Sequence, residues 1–327
     1  MQSLVKAIRC GLVPALLFGA ASASFGQAAP YPSKPIRIIV AYSPGTASET
    51  VARAAAHELA KQLGVSVVIE NREGAGGNIG HTAAAKAAPD GYTLLLGTTW
   101  ISLTSHSTSP PAYDAVKDFV PILRIGSVPM LVVAGSQSEN KTWAELVARS
   151  KTTDLNFGTT GKGGASHVLT EIMKKDFGMR GQDVPYKNTG QAMMDVSTNK
   201  LDFYMGNVPP ARGLIQAGQL LPLAVGSKQR NPMFPNTPTL AELSGRPDYE
   251  MVVWYGVFAP AGTPPDIVAR LQREFMKASD TQQMRTTLAD GAGTLELATG
   301  EELGKQVRAD NARFGRIVKD MGLTPGS

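Results

Sequence analysis

Short β-branched runs that end in glycine-rich turns and reopen as helical patterns recur along this chain. That grammar limits its fold more than any single residue does. Ile36, Ile38, Ile39 and Val40 form the first run, which breaks at Ser43-Pro44-Gly45-Thr46. A helix pattern follows, with Val51, Ala55, Leu59 and Leu63 at fourfold spacing and Gly64 as its stop. Val65 to Glu70 is the next strand, Asn71 to Asn78 a second glycine-rich turn, and Ile79 to Ala88 a second helix. Leu155-Asn156-Phe157, the turn from Gly158 to Ser166 and the helix from Val168 to Phe177 repeat the device. Strands that alternate with helices imply parallel sheets and an α/β fold.

Each such turn gathers free backbone N–H groups at the positive end of a helix dipole, which makes an anion cradle. In open α/β sheets, ligands sit beyond the carboxyl ends of the strands, where these turns fall. The donors on offer are backbone N–H groups at 45–48, 76–79 and 163–167, with the hydroxyls of Ser43, Thr46, Ser48, Thr98, Thr99, Thr160 and Ser166. His167, after Ser166, is either a neighbour of the helix cap or a direct contact. Glu49 can cap its helix or reach an amino group on a ligand. His57 and His81 fall in helix patterns and read as surface residues. Trp100 and Trp254 read as core or hinge packing before an aromatic wall.

Between these units, Tyr92 to Gly97 is a third strand and Ser102 to Pro111 a polar surface loop. Ile122 to Ser127 is a strand, and Val128 to Val133 a buried strand introduced by Pro129, suited to a crossing between domains. Thr142 and Glu145 form a capping box. Tyr249 to Phe258 reads as a second crossing. Asp266 to Ser279 and Glu301 to Met321 are amphipathic helices, the last carrying Leu303, Val307, Phe314 and Val318. Two crossings divide the chain into a first domain of residues 29–128 plus 256–327 and a second of 129–255.

Residues 1–28 read as a secretory signal peptide, with Lys6 and Arg9 basic, an apolar stretch from Gly11 to Ala21, and small residues at Ala21-Ser22-Ala23. The expected location is the periplasm. Cys10, the only cysteine, lies inside that segment, so disulfides, thiolate metal sites and cysteine nucleophiles are not expected in the mature chain. The formal net charge of +5 falls by two with the same segment, and no dense basic run points to nucleic acid. The glycine motifs match neither a nucleophile elbow nor a P-loop, and the four histidines show no zinc spacing. No cofactor, metal or catalytic group is expected. A sensor module would need the same cleft, and a secreted hydrolase would have only Ser166-His167 to build on.

The blocks YPSKPIRIIV (31–40), ENREGAGGNIG (70–80), KAAPDGYTLLLGT (86–98), YDAVKDF (113–119), VPYKN (184–188), FPNTPTLAE (234–242) and FAPAGTPPD (258–266) stand in this order. Together they resemble the substrate-binding receptors of tripartite tricarboxylate transporters, the Bug-type receptors. The resemblance implies a two-lobe, periplasmic-binding-protein-like (type II) fold with two inter-lobe crossings. It also implies a monomer that closes on a small organic carboxylate and delivers it to membrane subunits. Carried onto this chain, the first-lobe contacts are Tyr42, Ser43, Gly45, Thr46, Ser48, Glu49, Gly76, Gly77, Asn78, Thr98 and Thr99. Those of the second lobe are Thr160, Ser166, His167, Tyr186, Lys187 and Asn207. The chain departs from the family at Thr46, where glycine is usual, and at Glu49, where aspartate is.

Overall fold

The computed structural model describes residues 30–106, 112–159, 161, 165–186 and 188–322. The signal-peptide segment, Thr160 and Lys187 lie outside them. The strands and helices all belong to the unit that begins at Tyr31.

The first three strands are β1 (Ile36–Val40), β2 (Val67–Asn71) and β3 (Thr93–Thr98). They pair in parallel in the order β2-β1-β3. Helix α1 (Ala47–Leu63) connects β1 to β2, and a single 3-10 turn (Ala75–Gly77) with α2 (Asn78–Ala85) connects β2 to β3. β1 is covered on both faces, and its Ile36, Ile38, Ile39 and Val40 are all buried, whereas β2 is the edge strand and leaves Val68 exposed. Gly64 ends α1 in the left-handed conformation, as its position predicts.

After β3 the chain makes a short helix, α3 (Trp100–Thr104). The polar stretch from Ser102 is therefore not a surface loop at its start. Ser102 and Thr104 are buried, because Ser102 Oγ reaches Val307 O and Thr104 Oγ1 donates to Trp100 O at 2.9 Å. Residues 107–111 of that expected loop lie outside the described residues.

The two runs either side of Pro129 merge into one strand of 17 residues, β4 (Phe119–Gly135). Its first part pairs antiparallel with β9 (Val252–Pro260), and its last part pairs antiparallel with β7 (Phe203–Asn207) and β8 (Leu220–Val225). β4 is thus common to two sheets. In the second, α4 (Trp143–Thr152) carries the Thr142–Glu145 capping box. β5 (Leu155–Thr159), α5 (Ala165–Phe177), β6 (Gly181–Pro185) and α6 (Thr189–Ser197) follow, and β5 pairs in parallel with both β6 and β7. α7 (Val208–Gln216) and α8 (Leu240–Ser244) flank β8. The βα units are parallel, as their grammar requires; the long shared strands make the remaining pairings antiparallel.

The chain re-enters the first sheet through Met251, whose N–H donates to Gly226 O at 2.8 Å and whose carbonyl accepts from Met130 N at 2.9 Å. β9 then pairs with β3 and β4, and its Trp254 and Phe258 are buried. α9 (Pro265–Ser279), α10 (Gln282–Ala289), β10 (Thr294–Thr299) and α11 (Gly300–Asp320) complete the unit, β10 lying antiparallel on β4.

On α11 the buried stripe is Leu303, Val307, Asp310, Phe314 and Val318. Asp310 sits among apolar neighbours because Trp254 Nε1 donates to its Oδ2 at 2.8 Å and Gln306 Nε2 to its Oδ1 at 3.1 Å. Burial nevertheless raises its pKa above 3.8. The neutral form is therefore favoured by folding, and that contribution is lost as pH rises through the raised folded value. An Asp310→Asn variant keeps an acceptor for Trp254 and should stay within about 1 kcal/mol of the parent. It should gain relative to the parent as pH rises from 4 to 7, measured by denaturant unfolding across that range.

Candidate functional site

Thr46 is the N-cap of α1, with extended backbone (φ −76°, ψ 158°), so this position needs no glycine; the positive φ falls at Gly45 instead (81°). Its hydroxyl donates to Ser43 O at 2.9 Å and accepts from Glu49 N at 3.5 Å. A Thr46→Ala variant should lose about 1 kcal/mol in urea unfolding. Glu49 is buried and braces the same turn. One carboxylate oxygen accepts from Gly45 N at 3.0 Å and the other from the Arg53 guanidinium. The Gly45 N–H and Arg53 hold its pKa below the usual carboxylate value. Both oxygens are engaged within the loop. Glu49 is therefore a cap and brace here, and the N–H groups of Ala47 and Ser48 are left as the open first-turn donors of α1.

The second turn has backbone that few residues tolerate. Gly74, Ala75, Gly76 and Gly77 take φ values of 124°, 49°, 65° and 104° in succession, which explains three glycines in four positions. The turn delivers Asn78, buried, to the start of α2. A Cβ on Gly77 would stand 3.0 Å from His81 Cε1 and 3.4 Å from the Tyr42 ring.

The two turns are tied together. Asn71 Nδ2 donates to Tyr42 O at 2.8 Å, Arg72 N to Val40 O at 2.9 Å, and the Ser43 hydroxyl to Glu73. Tyr42 OH lies 3.2 Å from Thr98 Oγ1 at the end of β3, and burial pushes its pKa up to about 12. The N-termini of α1 and α2 are thereby held side by side, with the Tyr42 and Thr98 hydroxyls beside them. Thr99 turns elsewhere, its Oγ1 accepting from Trp254 N at 3.0 Å.

His81 is fully buried, contrary to the surface position its helix pattern suggested. It shares an inward stripe with Asn78 and Ala84. Its Nδ1 lies 3.0 Å from Tyr113 OH and 3.2 Å from Thr104 Oγ1. Those hydroxyls also contact each other at 2.6 Å, and reach Ile101 O at 2.7 Å and Trp100 O at 2.9 Å. Two protons cannot fill three such links and also serve the imidazole, so Nδ1 carries the ring's proton and donates. Burial drives the His81 pKa down to about 3. Sequence reasoning missed His81 and Tyr113 as supports of the cradle; the spacing of 78, 81 and 84 was the available signal.

At the second sheet, Ser166 and His167 are buried in the first turn of α5, and His167 Nε2 lies 4.0 Å from Asp183 Oδ1. Tyr186 OH donates to Asp195 at 2.8 Å, and burial with that carboxylate raises its pKa to about 12. Asn207 caps α7 with an exposed side chain that makes no cap bond. Ser166 and Thr189 also meet the buried Tyr204 hydroxyl, which the sequence did not single out. The first-sheet residues and these four each stand at the carboxyl ends of the parallel strands of their own sheet. Of the two tryptophans, Trp254 is core and Trp100 half-buried. Among the described residues there is no cluster of metal-ligating side chains, and no helix long and apolar enough to cross a membrane.

Comparison with known proteins agrees with this arrangement. The family model described as tripartite tricarboxylate transporter family receptor matches residues 51–323. The chain is 33% identical to protein BugT of Bordetella pertussis, over 92% of its own length and 94% of that protein's. Among solved structures it is similar to the periplasmic binding protein BugD, at 29% identity and a TM-score of 0.74 over 90% of this chain and all of that one. It is also similar to two Rhodopseudomonas palustris proteins. One was solved with adipate (30% identity, TM-score 0.76, 90% and 99% coverage) and the other, MatC, with malate (29%, 0.73, 88% and 100%). The fold is therefore the two-lobe α/β fold of periplasmic binding proteins. With a family match over residues 51–323 and shared architecture, this chain belongs to the tripartite tricarboxylate transporter receptor family.

Proposed function

We propose that this protein is a periplasmic receptor, not an enzyme, that closes as a monomer on a small organic carboxylate and presents it to the membrane subunits of a tripartite transporter. The observation that carries the reading is the pair of helix N-termini held side by side by the Asn71–Tyr42 bond. They offer N–H donors and dipole ends to one anion, with the Tyr42 and Thr98 hydroxyls alongside. The second wall comes from Ser166, His167, Tyr186 and Asn207, with Thr160 and Lys187 in the same loops. Relatives solved with malate and adipate support the ligand class. The first lobe comprises residues 29–128 and the C-terminal part of the chain, and the second lobe starts at 129. The chain returns to the first lobe at 256, so that residues 256–327 complete it and the second lobe is 129–255. Secretion through the segment 1–28 accounts for the location.

Closure excludes water and strengthens each charge-assisted hydrogen bond. The test is a thermal-shift screen of the chain from residue 29 against organic acids, with their amides as controls. A ligand at 100 times its Kd adds about 2.7 kcal/mol, which moves the midpoint by several degrees. A shift from an acid that is absent with its amide supports the receptor reading. A shift from a sugar or a cation, with none from any acid, overturns it.

A further inference from the structure

A sizeable cavity stands apart from the cradle. It encloses about 730 Å³ and is lined by α5, by the segment from Arg246 to Trp254 and by α11. Thr99 alone is shared with the residues of the cradle. The hydroxyl of Thr98 meets Tyr42, whereas that of Thr99 meets Val252 O and Trp254 N. The two neighbours leave the end of β3 in different directions, one to the cradle and one to this cavity.

Its charges divide into those that are satisfied and those that are not. At the rim, Lys175 pairs with Asp320 at 3.3 Å, and Arg246 pairs with Asp176 at 3.5 Å while lying over the Tyr249 ring. Inside, both oxygens of Asp310 are taken by Trp254 and Gln306. Of the other lining charges, Glu171 pairs with Lys174, Lys228 lies 3.9 Å from Asp248, and Arg316 is exposed to solvent, which leaves Glu250 and Arg313. Both are half-buried, and among the described residues neither has a hydrogen bond or an ion pair. Glu250 belongs to the segment from Arg246 to Trp254 and Arg313 to α11, so the two stand on different walls. Burial raises the Glu250 pKa, as expected of a carboxyl without donors. The lining also includes the apolar side chains of Ile172, Trp254 and Phe314.

We propose that this cavity is a second binding site, for a small zwitterion whose carboxylate meets Arg313 and whose ammonium meets Glu250. The volume suits a small molecule, and such sites favour domain interfaces. A half-buried charge without a partner is costly, so one molecule that pairs both charges is favoured over an acid or an amine that pairs one. The cleft reading is not needed for this site, which stands apart from the cradle.

The test is a melting-temperature series on the chain from residue 29 with 10 mM glycine, 4-aminobutyrate or 6-aminohexanoate, against butylamine and butyrate. One of the zwitterions should raise the midpoint by about 2 °C or more, with no such rise from the amine or the acid. The rise should vanish in Glu250→Gln and in Arg313→Gln, and persist in Gly77→Val, whose cradle is disabled. Loss of the rise in Gly77→Val would assign the zwitterion to the cradle and overturn the proposal. An equal response to butylamine or butyrate, or none to any zwitterion, would overturn it too. A readout without cavity variants is the indole N–H resonance of Trp254, one of three, identified by its loss in Trp254→Phe. The bound zwitterion should displace it, and an unmoved signal in the presence of a melting-temperature rise would place binding elsewhere. If organic acids fail to bind while this response holds, the cleft reading falls and the second site remains.

Discussion

A Gly77→Val variant is expected to bind organic acids at least about 100-fold more weakly than the parent, equivalent to roughly 2.7 kcal/mol. Two effects act together. Gly77 has a φ of 104°, which a β-branched residue does not adopt without strain on the order of 1–3 kcal/mol. Its new Cβ would also stand 3.0 Å from His81 Cε1 and 3.4 Å from Tyr42, both held in place by their own contacts. The turn must open to relieve this, and opening it withdraws the N-terminus of α2 from that of α1. Calorimetric titration with an acid identified by the screen gives the readout. Gly178→Ala is the control. It also has a positive φ (64°), but a Cβ there meets nothing within 4 Å. It should cost about 1 kcal/mol of stability and leave affinity intact. Parent-like affinity in Gly77→Val would remove the second turn from the site.

His81 should make the fold acid-sensitive. Its pKa falls from 6.5 to about 3 because the ring is buried among Tyr42, Tyr113 and Thr104. In the unfolded chain the imidazole protonates near 6.5, whereas the folded ring stays neutral down to about 3. The unfolded state binds the extra proton between those values, so stability is lost as pH falls through that window. The loss approaches about 1.4 kcal/mol per pH unit, or about 3 kcal/mol by pH 4. A His81→Gln variant keeps a neutral donor toward Tyr113 and Thr104 and should lack this component. Denaturant unfolding of both proteins between pH 4 and 7 isolates it as a difference. Equal acid sensitivity in the two would show that His81 protonates freely in the fold. The opposite slope expected from Asp310 cancels in the same difference.

Much of this protein could be read from local pattern. β1, α1 with its Gly64 stop, the Thr142–Glu145 capping box and the helices ending at Phe177 and Ser279 follow from spacing and capping chemistry. What failed was any reading that depended on a distant partner. His81 looks like a surface histidine until Tyr113 and Thr104 arrive from another part of the chain. Ser102 and Thr104 look like loop residues until α11 packs over them. Asp310 breaks an apolar stripe until Trp254, 56 residues earlier, supplies its donor. Pro129 reads as a break between strands. It is instead the last residue of β4 in register with β9, opposite Val252, and from Met130 the same strand pairs with β7, so the lost N–H does not end it.

The sequence by itself determined the βα grammar, and with it the parallel units, the three glycine-rich turns at their carboxyl ends, and the family. These are properties of neighbouring residues: β-branched sterics, helix capping, and the freedom of glycine at positive φ. Only the tertiary structure decided which donors remain open. It committed Glu49 to Gly45 and Arg53, turned Thr98 toward Tyr42 and Thr99 toward Trp254, and left Glu250 and Arg313 facing one cavity without partners. Whether a polar group is free or satisfied depends on what packs against it from far along the chain, and no local pattern carries that information.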